Sequence, residues 1–284
     1  NNRPIDGASV SISYVGDPQD TLEQLTTDSN GMTEEIDLAA PPRSYSEYPL
    51  SDVQPYSEYN LIITAPGYEP TTISGSEIFS GELSIQPVRL NPVLPNASAS
   101  VINIPANTLW GVFPPKIPED EIKPVRSSGE IVLSRVVIPE YVVVHDGVPS
   151  DSSATDYYVR YADYIKNVAS SEIYSTWPEA TLRANITAIM SFTLNRVYTE
   201  WYRNKGYDFT ITTSTAYDHK WVYGRNIFDS ISRIVDEIFA SYVSRPNVKQ
   251  PILTQYCDGK RVSCPNAMSQ WGSKALGDDG YSDI

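Results

Sequence analysis

The sequence is poor in the residues that build metal centres and membrane spans. Its 284 residues include only two cysteines and two histidines. A closed zinc site would have to collect nearly all of these from distant positions, so we predict no metal site and no cofactor. No run approaches the roughly 18 apolar residues that a membrane-spanning helix requires, and we therefore predict no membrane span.

Basic residues are also scarce, and they are unevenly placed. The chain carries 21 Lys and Arg against 35 Asp and Glu, a formal net charge of −14. Residues 1–95 hold three of the basic and 14 of the acidic residues, and the first lysine is Lys116. A nucleic-acid binder needs clustered Lys and Arg for its phosphate contacts, so this function class is excluded. The contrast between an acidic first third and a nearly balanced remainder predicts two domains.

Residues 1–92 have the pattern of short strands separated by turns. Segment 9–15 alternates apolar and polar residues, Asn30-Gly31 is a turn signal, and further strands are predicted within 59–70 and 82–90. We therefore predict an all-β sandwich. Three segments resemble the transthyretin-like, or carboxypeptidase-regulatory, β-sandwich module: PIDGASVSI, TTDSNGMTEEIDL and YNLIITAPGYEP. The resemblance implies a spacer or adhesion unit without chemistry of its own.

The segment 93–128, which we call the strap, is rich in proline. Proline stiffens a connecting segment toward extended conformations. The strap also contains apolar residues that a free tether would not need, namely Leu109, Trp110, Val112 and Phe113. We therefore predict that the strap is packed on a neighbouring domain.

Residues 129–284 combine β-branched runs with helical periodicity, which predicts an α+β domain. Thr176 and Glu179 have the spacing of a capping box and predict the start of a helix of about 29 residues, with Gly206 as its stop. Further helices are predicted over 156–171 and 226–244, and strands within 130–147, 208–215 and 251–257.

Cys257 and Cys264 are separated by six residues that include Gly259. This spacing suits a local disulfide, which would fit an extracytoplasmic protein. Two reduced thiols are the alternative.

Glu172 is the candidate catalytic carboxylate. It lies at the end of the first predicted helix, close in sequence to Ile173, Tyr174 and Trp177. Apolar neighbours remove water from a carboxylate and raise its pKa, so that it can hold a proton near neutral pH as a general acid. From spacing alone, the alternative is a solvated glutamate at the end of a surface helix.

The chain resembles the SpoIID/LytB family in three ordered segments that cover about residues 160–284: YIKNVASSEIYSTWPEATLRANITAIMSFTLNRVY, TTSTAYDHKWVYGR and TQYCDGKRVSCPNAMSQWGSKALGDDGYSDI. Enzymes of this family are lytic transglycosylases of peptidoglycan, and the family's catalytic glutamate matches Glu172. The resemblance implies cleavage of the β-1,4 bond between MurNAc and GlcNAc, with a 1,6-anhydro sugar as the product. One carboxylate suffices because the nucleophile is the substrate's own 6-hydroxyl, whereas ordinary glycosidases use two.

The resemblance places candidate substrate-binding residues in the second and third segments: Tyr217, His219, Ser269, Gln270 and Trp271. Gln270 is the strongest of them, because its amide both donates and accepts hydrogen bonds. The alternative for Trp271 is a structural position in the core. The alternative for His219 is that it only caps the end of a strand. Some family members hold zinc near the Thr-rich segment through His and Cys. This segment contains only His219 and no Cys, so we do not expect zinc.

A β-sandwich module joined to a SpoIID-like domain resembles the clostridial spore cortex-lytic enzymes, which usually carry a peptidoglycan-binding module after these two. The resemblance implies an extracytoplasmic protein of the spore cortex or coat region that acts during germination. The implied partners are peptidoglycan glycan strands and an activating protease. The alternatives are a non-catalytic wall-binding or scaffold protein and the amidase-enhancer branch of the same family.

Overall fold

The computed structural model describes residues 3–95, 99–121 and 132–283. These residues form a mixed α/β structure with several sheets. No helix within these ranges has the length and apolar character needed to cross a membrane. The elements, in chain order, are β1 (Ser9–Tyr14), β2 (Asp17–Thr26), β3 (Ser57–Thr64), β4 (Thr71–Ile78), β5 (Ser84–Ile85), β6 (Ser100–Asn103), β7 (Tyr141–His145), β8 (Asp156–Arg160), α1 (Tyr161–Glu172), α2 (Glu179–Tyr198), β9 (Ile211–Thr212), β10 (Ile227–Phe228), α3 (Asp229–Ile238), β11 (Tyr256–Cys257), β12 (Met268–Ser269) and α4 (Gln270–Asp278).

The N-terminal region is built on one five-stranded sheet with the strand order β2-β1-β3-β4-β6. Its neighbouring strands are antiparallel except for β6, a part of the strap, which pairs in parallel with β4. The alternation in β1 places Val10 and Ile12 in the core, where they join Ile73 of β4. A sandwich would place a second sheet on this apolar face. In the described residues the face is instead covered by irregular chain that contributes Leu38 and Leu90.

Two stretches of the predicted sandwich do not form strands of the N-terminal sheet. The chain after Asn30-Gly31 is irregular, and its Pro41 and Pro42 lack the N–H groups that a strand ladder needs. The strand predicted within 82–90 is reduced to β5, which leaves the first sheet and pairs antiparallel with β10 of the C-terminal region.

The C-terminal region surrounds helix α2. The helices α1, α3 and α4 all contact α2, and a three-stranded sheet with the order β8-β7-β9 adjoins α1. Residues on nearly every side of α2 are buried, including polar ones such as Asn185 and Asn195. A helix buried on all sides belongs to the centre of a domain rather than to its surface.

The boundaries of α2 differ from the prediction. The helix begins at Glu179 and ends at Tyr198, so it has 20 residues instead of about 29. The predicted capping box is absent, because the Thr176 hydroxyl pairs at 2.6 Å with the hydroxyl of a serine in the N-terminal region. Shortly after the helix, Glu200 adopts a left-handed backbone conformation with φ of 46°, which a continuing helix does not allow.

Strand pairing delays the start of the two other predicted helices, while α3 also ends early, at Ile238, and the strands predicted within 208–215 and 251–257 are reduced to β9 and β11. The residues of β8 were expected in the first helix, but they pair with β7, so α1 begins at Tyr161. Ile227 and Phe228 pair with β5 and delay the start of α3 to Asp229. Helix α4 was not predicted, and the first of the two runs within 130–147 begins outside the described residues.

A buried ion pair joins the two regions. The side chains of Arg225 and Glu77 are both fully buried and hydrogen-bonded to each other. The Asn226 side chain donates to the Glu77 carbonyl at 2.8 Å, and Arg225 Nε donates to the carbonyl of Ser170 at 3.0 Å. Phe79 extends the joint by packing on aromatic rings of the C-terminal region. One continuous core therefore crosses the predicted domain boundary at residue 92.

Candidate active site

Glu172 is the last residue of α1 and is only 4 % exposed. Its Oε1 accepts a hydrogen bond of 2.5 Å from the backbone N–H of Lys220. Ile173 and Tyr174, the residues that follow, are buried as well. The carboxyl therefore lies inside the protein, in the apolar setting that the sequence predicts, and not on a solvated helix end.

Burial raises the pKa of the Glu172 carboxyl above that of a free glutamate. The positive charge of Lys116, the Lys220 N–H and the hydroxyl of Tyr256 oppose this shift without cancelling it. The net effect favours the protonated form, which is the form that a general acid needs.

Lys116 of the strap lies close enough to this carboxyl for the two charges to interact. Its ammonium group donates to the backbone carbonyl of Asp218 and lies 5.4 Å and 5.3 Å from the ring centres of Phe192 and Tyr256. Burial lowers the pKa of Lys116, while the negative charge of Glu172 raises it. The two groups therefore influence each other's protonation across the site.

Removing the Lys116 charge is expected to raise the pKa of Glu172 further, because burial then acts against less opposing positive charge. In a Lys116→Met variant, the Glu172 carboxyl should titrate at a higher pH than in the wild type. Carboxyl ¹³C NMR during a pH titration measures this directly. The exposed Lys249→Met variant is the control. An unchanged or lower midpoint in Lys116→Met would contradict the assignment.

The rings of Tyr256 and His219 pack against each other near Glu172. Their rings stack at 5.7 Å with an interplanar angle of 13°, and His219 Nδ1 lies 3.2 Å from the hydroxyl of Tyr164. The Tyr256 hydroxyl lies beside Glu172 but outside normal hydrogen-bond geometry. Burial, followed by the charges of Lys116 and Arg196, lowers the pKa of His219 well below its usual value. His219 is therefore a neutral imidazole in the interior and not the cap of a strand.

Gln270 supports the backbone next to the carboxyl. It is the first residue of α4, it is buried, and its Nε2 donates to the Glu172 carbonyl at 3.0 Å. The amide thus contacts the main chain of the candidate acid. Among the predicted binding residues, the structure brings Gln270 and His219 to the surroundings of Glu172.

The other three predicted binding residues have structural contacts. Ser269 caps α4 by accepting a 2.9 Å hydrogen bond from the N–H of Gly272. Trp271 is buried with its ring centre 4.9 Å from that of Trp177, which is the core position weighed as its alternative. Tyr217 is exposed, and its carbonyl accepts a hydrogen bond from a buried arginine.

Asp218 is a second buried carboxylate on the same loop, and its oxygens are already engaged. Oδ1 accepts from Arg196 Nε at 2.7 Å. Oδ2 accepts from the hydroxyl of Tyr202 at 2.6 Å and from both the N–H and the hydroxyl of Thr212, at 2.9 and 2.7 Å. A carboxylate held in this way positions the loop and is not available as a nucleophile.

The strap passes over the end of α1. Its Thr108 donates to the Ser171 carbonyl at 2.9 Å, and its Ile117 donates to the Ala216 carbonyl at 2.7 Å. With Lys116 between these two anchors, the strap runs alongside the buried end of α1. Leu109 is buried and Trp110 packs on the core, as predicted, whereas Val112 is 98 % exposed.

A disulfide links Cys257 and Cys264, whose Cα atoms are 5.8 Å apart. The loop that it closes carries Arg261, which donates to the carbonyls of Trp110 and Gly111 in the strap at 3.0 and 3.1 Å. The disulfide loop is therefore a further attachment point for the strap.

Within the described ranges, no group of three or more His, Cys, Asp or Glu side chains is arranged to hold a metal ion. The sequence-based expectation of no metal and no cofactor stays a prediction.

Sequence reasoning did not identify Lys116, Tyr256 or Lys220 as members of the site. Tyr256 and Lys220 lie inside the segments that carry the family resemblance, but nothing in their spacing distinguishes them. One feature of the sequence could have pointed to Lys116: it is the first lysine of the chain, and it follows the apolar residues of the strap.

Comparisons with protein-family models, with curated proteins and with solved structures found no match to this chain, so its site is interpreted from its own geometry.

Proposed function

We propose that the chain is a lytic transglycosylase that cleaves the glycan backbone of peptidoglycan. The observation that carries the proposal is Glu172, a buried carboxyl with a raised pKa. The neighbouring buried carboxylate, Asp218, is fully engaged in hydrogen bonds. A reaction in which the substrate supplies its own nucleophile needs only one acid, and we assign that role to Glu172. The three sequence segments that resemble the SpoIID/LytB family support the same activity.

The proposed reaction needs one proton donor that becomes a proton acceptor. Glu172 gives its proton to the oxygen of the β-1,4 bond between MurNAc and GlcNAc, and the bond to C1 breaks. The carboxylate then takes the proton of the MurNAc 6-hydroxyl, whose oxygen bonds to C1 and closes the 1,6-anhydro ring. Glu172 ends the cycle protonated, and no water enters the products.

Because Glu172 is buried, the proposal requires a step that exposes it to a glycan strand. An activating protease is the partner that we propose for this step.

The wider proposal is that of a transthyretin-like module followed by a SpoIID-like domain, in an extracytoplasmic protein that acts on spore cortex during germination. The fold of the described residues is mixed α/β, as this arrangement requires.

A second candidate is a non-catalytic protein that binds the wall or enhances an amidase. One observation favours it: the Glu172 carboxyl is buried and hydrogen-bonded to the protein itself. A group in this state binds no substrate unless the surrounding chain moves.

Mass spectrometry of the muropeptides released from spore cortex and from vegetative wall tests the proposed function. We expect fragments with 1,6-anhydromuramic ends. Binding to the wall material without release of sugar would establish the second candidate instead. Reducing ends without the anhydro ring would show a hydrolase and contradict the single-acid scheme.

A further inference from the structure

An aromatic cluster lies between strand β8 and the loop that carries Lys220, whose N–H binds Glu172. It consists of Tyr157, Trp221 and Tyr223, which we call the aromatic triad. The rings of Tyr157 and Tyr223 stack at 4.8 Å with an interplanar angle of 24°, and the Trp221 ring lies 5.4 Å from that of Tyr157. None of the three was identified from the sequence as a site residue.

The triad is close to the candidate acid through a short, fixed stretch of backbone. Lys220, whose N–H binds the Glu172 carboxyl, directly precedes Trp221. Three residues of extended chain span at most about 10 Å, so Tyr223 lies no further than that from Lys220 along the backbone. The side chain of Asn167 holds the loop by two hydrogen bonds, to the N–H and the carbonyl of Val222, at 2.9 and 2.7 Å. The rings are therefore held in place before any ligand arrives.

The triad offers both an apolar face and polar groups at its edge. Tyr223 is 41 % exposed, although Trp221 beside it is only 6 % exposed. The indole N–H of Trp221 is buried and has no hydrogen-bond partner among the described residues. Asp146, which accepts a 3.1 Å hydrogen bond from the Thr213 hydroxyl, lies near enough to Tyr157 to act on the charge of its phenol. The buried indole N–H of Trp221 is costly for the folded state unless a ligand or a water molecule accepts a hydrogen bond from it.

These properties match a sugar ring. A pyranose presents C–H groups on its faces, which pack on aromatic rings, and hydroxyls around its rim, which pair with polar side chains.

We propose that the aromatic triad is a saccharide subsite that holds a sugar unit of the glycan strand whose scissile bond lies at Glu172. The inference rests on the proposed function, since the strand is its substrate. The continuity of the loop from Lys220 to Tyr223 argues for one strand at both places. Tyr223 is exposed while Glu172 is buried, so the subsite binds glycan before the acid is reached.

The test uses the full chain with Glu172→Gln, so that binding is measured without turnover. The probe is uncross-linked glycan strands of peptidoglycan, titrated calorimetrically. Tyr157→Ala and Tyr223→Ala should each weaken binding about fivefold, because a stacked aromatic contact contributes about 1 kcal/mol. Tyr223→Phe, which keeps the ring, should bind within about twofold of the parent.

Tyr158 provides the matched control. It is 78 % exposed and is adjacent to Tyr157 in β8, so its side chain points to the opposite face of the strand. Tyr158→Ala should leave the affinity unchanged. The subsite is refuted if the two triad variants bind as tightly as the parent, or if Tyr158→Ala loses as much affinity as they do. Triad-dependent binding by a protein that forms no 1,6-anhydro ends would refute the proposed function and leave the subsite standing.

Discussion

Replacing Glu172 with glutamine is expected to reduce the formation of 1,6-anhydromuramic ends by a factor of about 10²–10⁴. Glutamine has the same shape, and its Oε1 can still accept the hydrogen bond from the Lys220 N–H. It has no proton to give to the glycosidic oxygen and cannot take one from the 6-hydroxyl. The loss therefore isolates the acid–base step from the packing around it. The measurement is mass spectrometry of muropeptides released at matched protein concentrations.

Glu179→Gln is the control for this experiment. Glu179 lies in the first turn of α2, is exposed and pairs with Arg183 at 2.9 Å, away from the buried carboxyl. Its product yield should equal that of the wild type. Wild-type yields from Glu172→Gln would refute the catalytic role.

The pH dependence of the wild-type rate also tests the role of Glu172 as the proton donor, because it predicts in which direction the rate changes with pH. The acid must enter the reaction protonated, so the rate should fall as the pH rises through the pKa of Glu172. Because burial raises that pKa, the fall should begin at a higher pH than a free glutamate would give. A rate that rises with pH across this limb would assign the proton donor to another group.

Replacing Glu77 with glutamine is expected to lower the free energy of unfolding by about 3–5 kcal/mol. The change leaves the guanidinium of Arg225 fully buried without its counter-ion. Both regions of the protein meet at this pair, so the loss should appear in one cooperative transition and not only in the N-terminal sheet. Urea denaturation followed by circular dichroism measures it.

The control for the ion pair is Glu237→Gln. Glu237 pairs with Arg183 on the surface, where solvent screens the charges, and its removal should cost less than about 1 kcal/mol. If Glu77→Gln costs no more than Glu237→Gln, the buried pair does not hold the two regions together.

Local patterns in the sequence predicted the position and the burial of Glu172, whereas its catalytic role was implied by the family resemblance. The periodicity of apolar residues before Glu172 predicts a helix, and the structure ends α1 at that residue. The apolar residues directly after it predict burial, and Ile173 and Tyr174 are buried. Both inferences depend only on neighbours along the chain, which is the range over which hydrophobic periodicity carries information.

Long-range pairing was not predictable in the same way. Lys116 reaches Glu172 from 56 positions earlier in the chain, and β5 pairs with a strand more than 140 residues away. The same limitation applies to Thr176, whose spacing fits a cap while its hydroxyl is used by a tertiary contact. Such contacts replace local preferences because the protein interior supplies partners that the sequence window does not contain.

The pairing of β5 with β10 has a consequence for the order of folding. The bond between Asn226 and Ser84 closes a loop of 142 residues, and such closures lose chain entropy before their contacts form. The contacts within α1 and within α2 join residues that are near in sequence, whereas the contacts around Glu77 and Arg225 require this loop to close. The loop that contacts Glu172 is joined to Arg225 through Gly224. The surroundings of Glu172 are therefore complete only when distant parts of the chain have met, and not with the folding of any one helix.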